Sequence, residues 1–310
     1  MRYPLDKKLK FIALVKPPSN IKLYPILNIF MKFFQCKSDD KVNVTVYETP
    51  GYENAILKTY VIEPKNGGKN MPCLVFFHGG GFLLKASGAH YQIAKEYADK
   101  FPCKVVYVDY RLAPKHPFPI SVEDCFATYK WVLGNANMLG IDKNKITIGG
   151  DSAGGNLATA VTLMARDRHL PLPTSLLLIY PATDRRMITE SMKKYTDTPV
   201  WDANLSKMMW DAYLGEQIPV HIEYASPIEA SSFEGFPPTY IEVAEYDCLR
   251  DEGILLYKKL KKENIKAELY EIKNTCHGFE TAVGSTIMRR CMDQRIKWWR
   301  FHNAKENKLD

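Results

Sequence analysis

No stretch of this 310-residue sequence is both apolar enough and long enough to cross a bilayer. The greasiest run, Ile21 to Phe34, is interrupted by Lys22, Pro25, Asn28 and Lys32, and it falls short of the ~20 apolar residues a spanning helix needs. Stable membrane insertion is therefore not expected. The first eighteen residues carry Asp6, Lys10, Lys16 and three prolines, so they lack the unbroken apolar core of a signal peptide. The seven cysteines stand singly, with no C-x-x-C pair and an odd total, which argues against a disulfide framework. Reduced thiols and a cytoplasmic location are the corresponding expectations. There is also no internal repeat and no low-complexity linker, so residues 1–310 are expected to form a single unit. Acidic residues fall short of basic ones, 35 against 42, giving a net charge of +7. The lysines nevertheless recur throughout and often adjoin acids, as in Asp6-Lys7-Lys8 and Lys261-Lys262-Glu263, so nucleic-acid binding is not expected.

What is present is the material of a sizeable core: 46% of residues are hydrophobic and 25% charged. Val42 to Tyr47 and Ile56 to Ile62 alternate like strands around a turn at Pro50-Gly51 and predict an antiparallel hairpin. Beyond it, short apolar runs recur at Cys73 to Phe77, Lys104 to Val108, Lys145 to Ile148, Ser175 to Tyr180, Thr239 to Val243 and Ala267 to Ile272. Continuous apolar runs suit strands buried on both faces, and parallel strands need crossovers. Helical patterns at Val122 to Leu133, Asn156 to Arg168 and Glu252 to Glu263 supply them. The expected architecture is α/β, a mostly parallel central sheet flanked by helices. Residues 1 to about 40 and 184–225 do not follow the alternation and are expected to form a helical cap.

One segment carries chemistry. In Ile146-Thr147-Ile148-Gly149-Gly150-Asp151-Ser152-Ala153-Gly154, a G-x-S-x-G motif lies between an apolar strand and a helix, the context of a nucleophile elbow. A serine there sits on a strained turn, and side chains two positions before or after it would collide, hence Gly150 and Gly154. Attack by Ser152 on an acyl carbon creates an oxyanion that needs preorganised N–H donors. The amide of Ala153, opening the helix, is one, and His78-Gly79-Gly80-Gly81-Phe82 after a strand offers two more at Gly80 and Gly81. His78 itself is read as structural, because the base follows the serine in chain order. Among the later histidines only His277 follows a predicted strand, while Asp247 projects from the strand before. Asp247 is preferred as the orienting acid over Asp251, which with Glu252 is expected to cap the next helix or favour its positive end. Asp151 is expected to take part in the elbow's hydrogen bonding. This chemistry requires no metal and no cofactor.

Taken together, His78-Gly79-Gly80-Gly81-Phe82 and Gly150-Asp151-Ser152-Ala153-Gly154-Gly155 resemble the hormone-sensitive lipase family of α/β-hydrolases. The resemblance runs from about Pro72 to Phe279 through Asp109-Tyr110-Arg111-Leu112-Ala113-Pro114, Tyr180-Pro181 and Asp247-Cys248-Leu249-Arg250-Asp251-Glu252. It implies a metal-free serine carboxylesterase acting on small-molecule esters with short acyl chains, under an N-terminal helical cap, and a homodimer through the last strand and helix. Lys115 and Cys248 depart from the family pattern without touching the proposed chemistry. Two other functions remain to be distinguished, a membrane-surface lipase and a non-catalytic ligand-binding protein on the same fold; the presence of His277 counts against the latter.

Other side chains admit two readings. Cys248 and Cys276 adjoin the proposed acid and base, a placement that would suit a redox switch, but a lone cysteine is ordinarily a small buried hydrophobe. Ile26, Ile29, Phe30 and Phe33 recur at helical spacing and are expected to pack beneath the cap, the alternative being a membrane-surface face. Trp201, Met208, Met209, Trp210 and Tyr213 suit either an acyl pocket or ordinary core. Lys297 to Phe301 reads as the last helix, packed on the sheet.

Overall fold

A computed structural model describes residues 3–215 and 219–303. The parts of the expected cap at residues 1–2 and 216–218 lie outside the described residues. The chain begins with short 3₁₀ turns and helix α1 (Tyr24–Met31), then enters the hairpin β1 (Val42–Pro50) and β2 (Ile56–Pro64). β3 (Met71–Phe77), α2 (Gly88–Lys100), β4 (Lys104–Asp109), α3 (Ile120–Leu139), β5 (Ile141–Asp151), α4 (Ala153–Asp167) and β6 (Ser175–Ile179) follow in strict alternation. Two helices, α5 (Glu190–Lys194) and α6 (Ala203–Leu214), interrupt it before β7 (Thr239–Tyr246), α7 (Arg250–Lys262), β8 (Ala267–Cys276) and α8 (Thr286–Asn303).

The eight strands form one sheet in the order β1-β2-β4-β3-β5-β6-β7-β8. β1 with β2 and β2 with β4 are antiparallel, and every later pair is parallel. The apolar runs are continuous because each strand feeds two layers. Cys73, Val75 and Phe77 of β3 face the core under α3, α4 and α7, whereas Leu74 and Phe76 face the core under α2 and α8. β6 divides in the same way, Leu176 and Leu178 to one side and Leu177 and Ile179 to the other. Full burial of each such side chain contributes about 1.5–3 kcal/mol. The order reverses around β3 and β5, which connect to opposite sides of the sheet, and open parallel sheets bind ligands beyond the strand ends at such a point.

Helix α1 departs from expectation. Ile26, Ile29, Phe30 and Phe33 do not pack inside; they are exposed, and the helix is held through its other side by buried Tyr24 and by Asn28. Periodicity reveals that a helix has two faces but not which one meets the protein. Among the described residues, no helix is long and apolar enough to cross a membrane.

Candidate active site

Ser152 occupies the sharp turn between β5 and α4 with φ 55° and ψ −119°, a conformation that non-glycine residues rarely adopt. The turn is pinned by the Ser152 N–H, which donates to the Ile179 carbonyl at the end of β6 at 2.8 Å. Gly154 is obligatory for a reason that extends beyond the elbow: a Cβ there would lie 1.9 Å from the Phe77 carbonyl oxygen, at the end of β3. The neighbouring Gly150 would likewise meet the Gly154 carbonyl at 2.3 Å. Only with bare backbone at these positions can the start of α4 approach the strand that launches the glycine loop.

His277 lies just past β8. Its Nε2 is 2.8 Å from Ser152 Oγ, and its Nδ1 is 2.7 Å from Asp247 Oδ2. All three side chains are buried, leaving little room for water to compete. The second oxygen of Asp247 accepts the Leu249 N–H at 2.9 Å, so its carboxylate is fixed from both ends. Asp251 is not part of this chain. It accepts the Ser191 N–H at 2.8 Å, and Glu252 accepts the N–H groups of Thr183 and Asp184 at 2.6 and 2.9 Å. The expectation for these two acids is met in part: both stand in the first turn of α7, at its positive end, but neither caps the helix, and both reach across to hold residues 183–191.

Opposite the serine, the loop after β3 turns through Gly80 and Gly81, with φ of 112° and 62°. At Gly81 a side chain is excluded twice over, by the positive φ and by Trp201, whose ring would lie 2.5 Å from a Cβ. The Gly80 and Gly81 N–H groups meet no protein acceptor among the described residues, and that of Ala153 begins α4, where first-turn amides lack an intrahelical partner. Asp151 locks this loop to the elbow: its Oδ1 accepts the Gly79 N–H at 2.9 Å, and its Oδ2 lies 3.5 Å from His90 Nε2. His90 Nδ1 accepts the Ser87 N–H at 3.0 Å, which leaves Nε2 to donate to the carboxylate. His78 is fully buried, stacked 4.4 Å from Tyr110, and burial lowers its pKa to about 4. A neutral ring braced by aromatics is a structural element, in keeping with its expected role.

Two groups near the site carry no signal in the sequence. His90 is a helix-capping residue by position, and only the folded chain brings it to Asp151. Arg295 is wholly buried between Glu242 and Glu280, with Nη contacts of 2.5 and 2.9 Å. Burial raises the Glu280 pKa to about 7 despite the Arg295 charge. The aromatic group in residues 201–213 divides. Trp201 stands beside the site, its ring 6.2 Å from that of His277, while Tyr213 stacks on Phe82 at 3.8 Å and Met209 and Trp210 are buried in the core. Cys248 and Cys276 are buried, and burial pushes both thiols up, Cys276 to about 12, so neither holds the thiolate that a redox switch would need. Among the described residues, no cluster of three His, Cys, Asp or Glu side chains is placed to hold a metal ion.

A doubly covered, mostly parallel sheet with a serine elbow facing a glycine loop defines an α/β-hydrolase. Residues 74–281 match the model of a family described by the alpha/beta hydrolase fold. Esterase LipI of Mycobacterium tuberculosis is 35% identical over 210 residues, which are 67% of this chain and 65% of LipI. The match thus spans just under two thirds of that relative's length. Among solved structures, a bacterial heroin esterase superposes with a TM-score of 0.89 at 30% identity, covering 97% of this chain and 99% of its own. Esterase LipW from Mycobacterium marinum gives 0.90 at 27% identity, covering 97% of both chains. The chain belongs to the hormone-sensitive-lipase-like family of α/β-hydrolases.

Proposed function

We propose that this protein is a serine carboxylesterase that hydrolyses short-chain acyl esters through Ser152, His277 and Asp247 and an acyl-enzyme intermediate. The observation that carries the reading is the unbroken hydrogen-bond chain from Asp247 through both nitrogens of His277 to Ser152 Oγ. Ser152 Oγ bonds to the acyl carbon as its proton passes to His277 Nε2. The imidazolium formed is stabilised by the Asp247 carboxylate, which keeps its charge. The carbonyl oxygen becomes an oxyanion held by the N–H groups of Gly80, Gly81 and Ala153. Collapse of this intermediate breaks the ester C–O bond, and the departing alkoxide takes the proton from Nε2. Water then repeats the sequence on the acyl-serine: His277 accepts its proton, the acid leaves, and the proton returns to Ser152. No cofactor enters the scheme.

The whole chain acts as one catalytic domain in this reading, with residues 1 to about 40 and 184–225 as its cap. The ion pair of Lys16 with Asp202 and the Tyr3–Tyr195 ring contact at 5.9 Å support a joint cap made from both segments. Trp201, set against Gly81 and near His277, limits the space above the serine and favours short acyl groups. The test is treatment with a fluorophosphonate followed by intact-protein mass spectrometry and peptide mapping. A single adduct on Ser152, absent in Ser152→Ala together with its turnover of p-nitrophenyl butyrate, is expected. An adduct elsewhere, or undiminished turnover in the variant, refutes the assignment, and a folded wild type that neither labels nor turns over is the ligand-binding alternative.

A further inference from the structure

Helix α1 turns its polar side to the protein and its apolar side to solvent. Asn28 Nδ2 donates to the Leu83 carbonyl at 2.7 Å, and Asn28 Oδ1 accepts the Lys85 N–H at 2.9 Å. Tyr24, one turn earlier on the same side, is fully buried. Ile26, Ile29, Phe30 and Phe33 are left 52%, 57%, 62% and 80% exposed, and Leu14 in the preceding segment 87%. Nine of the sixteen large exposed hydrophobics among the described residues fall within positions 11–34. Single exposed hydrophobics are ordinary, but a concentration of them marks a surface that meets something.

The charge on the same segment indicates what it meets. Residues 7–38 contain seven lysines and no aspartate or glutamate, so the segment carries the whole +7 of the chain and the remainder is formally balanced. All seven lysines are exposed, and among the described residues only Lys16 meets a carboxylate, that of Asp202. We propose that residues 7–38 dock the enzyme on an anionic lipid surface, with α1 lying in the interface, its apolar face among the acyl chains and the lysines that flank it, Lys22 and Lys32 nearest, among the headgroups. An eight-residue helix is roughly 12 Å long, far less than a bilayer, so it lies on the membrane and does not span it. A second copy of the chain fits this face poorly, because two-fold pairing would oppose two sets of lysines with no acid between them. Docking needs no opening of the site: the serine, histidine and aspartate are already hydrogen-bonded, so the surface changes where the enzyme works and not how fast it handles a dissolved ester.

The test is sedimentation of the full chain with vesicles of phosphatidylcholine alone or mixed with phosphatidylserine, at low and high salt. Binding to the mixed vesicles is expected, weakened by salt and by removal of the anionic lipid. Each lysine near such a surface contributes about fivefold in partitioning, so Lys22→Gln/Lys32→Gln should bind more than tenfold more weakly. Phe30→Ser/Phe33→Ser should lose comparable binding through the apolar face. Both variants should keep wild-type circular dichroism and wild-type hydrolysis of dissolved p-nitrophenyl butyrate. The proposal is overturned if wild type stays in the supernatant with anionic vesicles, if binding ignores lipid charge, or if the folded variants sediment like wild type. It is equally overturned if Phe30→Ser/Phe33→Ser converts a dimer to a monomer without changing vesicle binding.

Discussion

Replacing Asp247 by asparagine leaves the size of the side chain nearly unchanged and reverses one hydrogen bond. The Leu249 N–H, 2.9 Å from Oδ1, needs an acceptor, so the amide oxygen of the asparagine stays there and its NH₂ group turns toward His277. Nδ1, now 2.7 Å from the carboxylate, must then become an acceptor, which moves the ring proton to Nε2. Nε2 is the atom 2.8 Å from Ser152 Oγ that has to accept the serine's proton. The wrong tautomer in an intact geometry costs about ten-thousandfold in kcat, roughly 5 kcal/mol of barrier, with little change in KM. The assay is steady-state hydrolysis of p-nitrophenyl butyrate by Asp247→Asn and Asp251→Asn side by side. Asp251 faces Ser191 and Arg250, so its variant should retain most of the wild-type turnover. An Asp247→Asn enzyme within about tenfold of wild type, or an Asp251→Asn enzyme more impaired than it, would refute the reasoning.

For p-nitrophenyl esters from acetate to palmitate, measured below their solubility limits, kcat/KM should rise by about fourfold per methylene and peak at roughly two to six carbons. A maximum at about ten carbons or beyond, or a jump in rate when droplets form, would instead favour the lipase reading. Burial raises Glu280 to about 7 from 4.5, so the unfolded chain ionises first as pH increases. Wild type should therefore lose stability relative to Glu280→Gln between pH 4.5 and about 7, by at most about 3 kcal/mol, with no further change above; urea melts showing a difference independent of pH exclude this. Gly154→Ala drives a methyl group against the Phe77 carbonyl and should lower Tm sharply and abolish turnover, whereas Gly134→Ala, with nothing within 4 Å, should gain about 0.5–1 kcal/mol from helix propensity. Equal melting temperatures for the two alanine variants would contradict the packing argument.

The strands and the serine were legible because their signals are local. The β3, β4 and β6 runs are unbroken apolar stretches over Cys73–Phe77, Val105–Val108 and Leu176–Ile179, as two-sided burial demands, and the elbow needs its glycines within two residues of Ser152. His277 and Asp247 could be read because each follows a strand that ends on the serine's side of the sheet. What stayed hidden depends on partners distant in sequence. Asp251 and Glu252 sit where helix-capping acids sit, yet their acceptor oxygens are used by residues 183–191, some sixty to seventy positions away. The outward face of α1 was hidden for another reason: Tyr24 and Asn28 outweigh the apolar stripe, and only the Leu83 and Lys85 backbone reveals why.

The contact between Asp151 and Gly79 joins positions 72 residues apart, and Gly154 rests on Phe77 across a similar interval. The spacing between Ser152 and the glycine loop is thus set by direct touch and not by the α2–β4–α3 connection that links them along the chain. That connection is free to be rebuilt: a lengthened α2–β4 loop, or new chain ends opened within it, should leave the distance between serine and glycine loop unaltered. For protein engineering, the interval between the two motifs is the place to attach a fused domain or to split the enzyme into complementing fragments, because each fragment would carry one half of a contact that realigns the site when they meet.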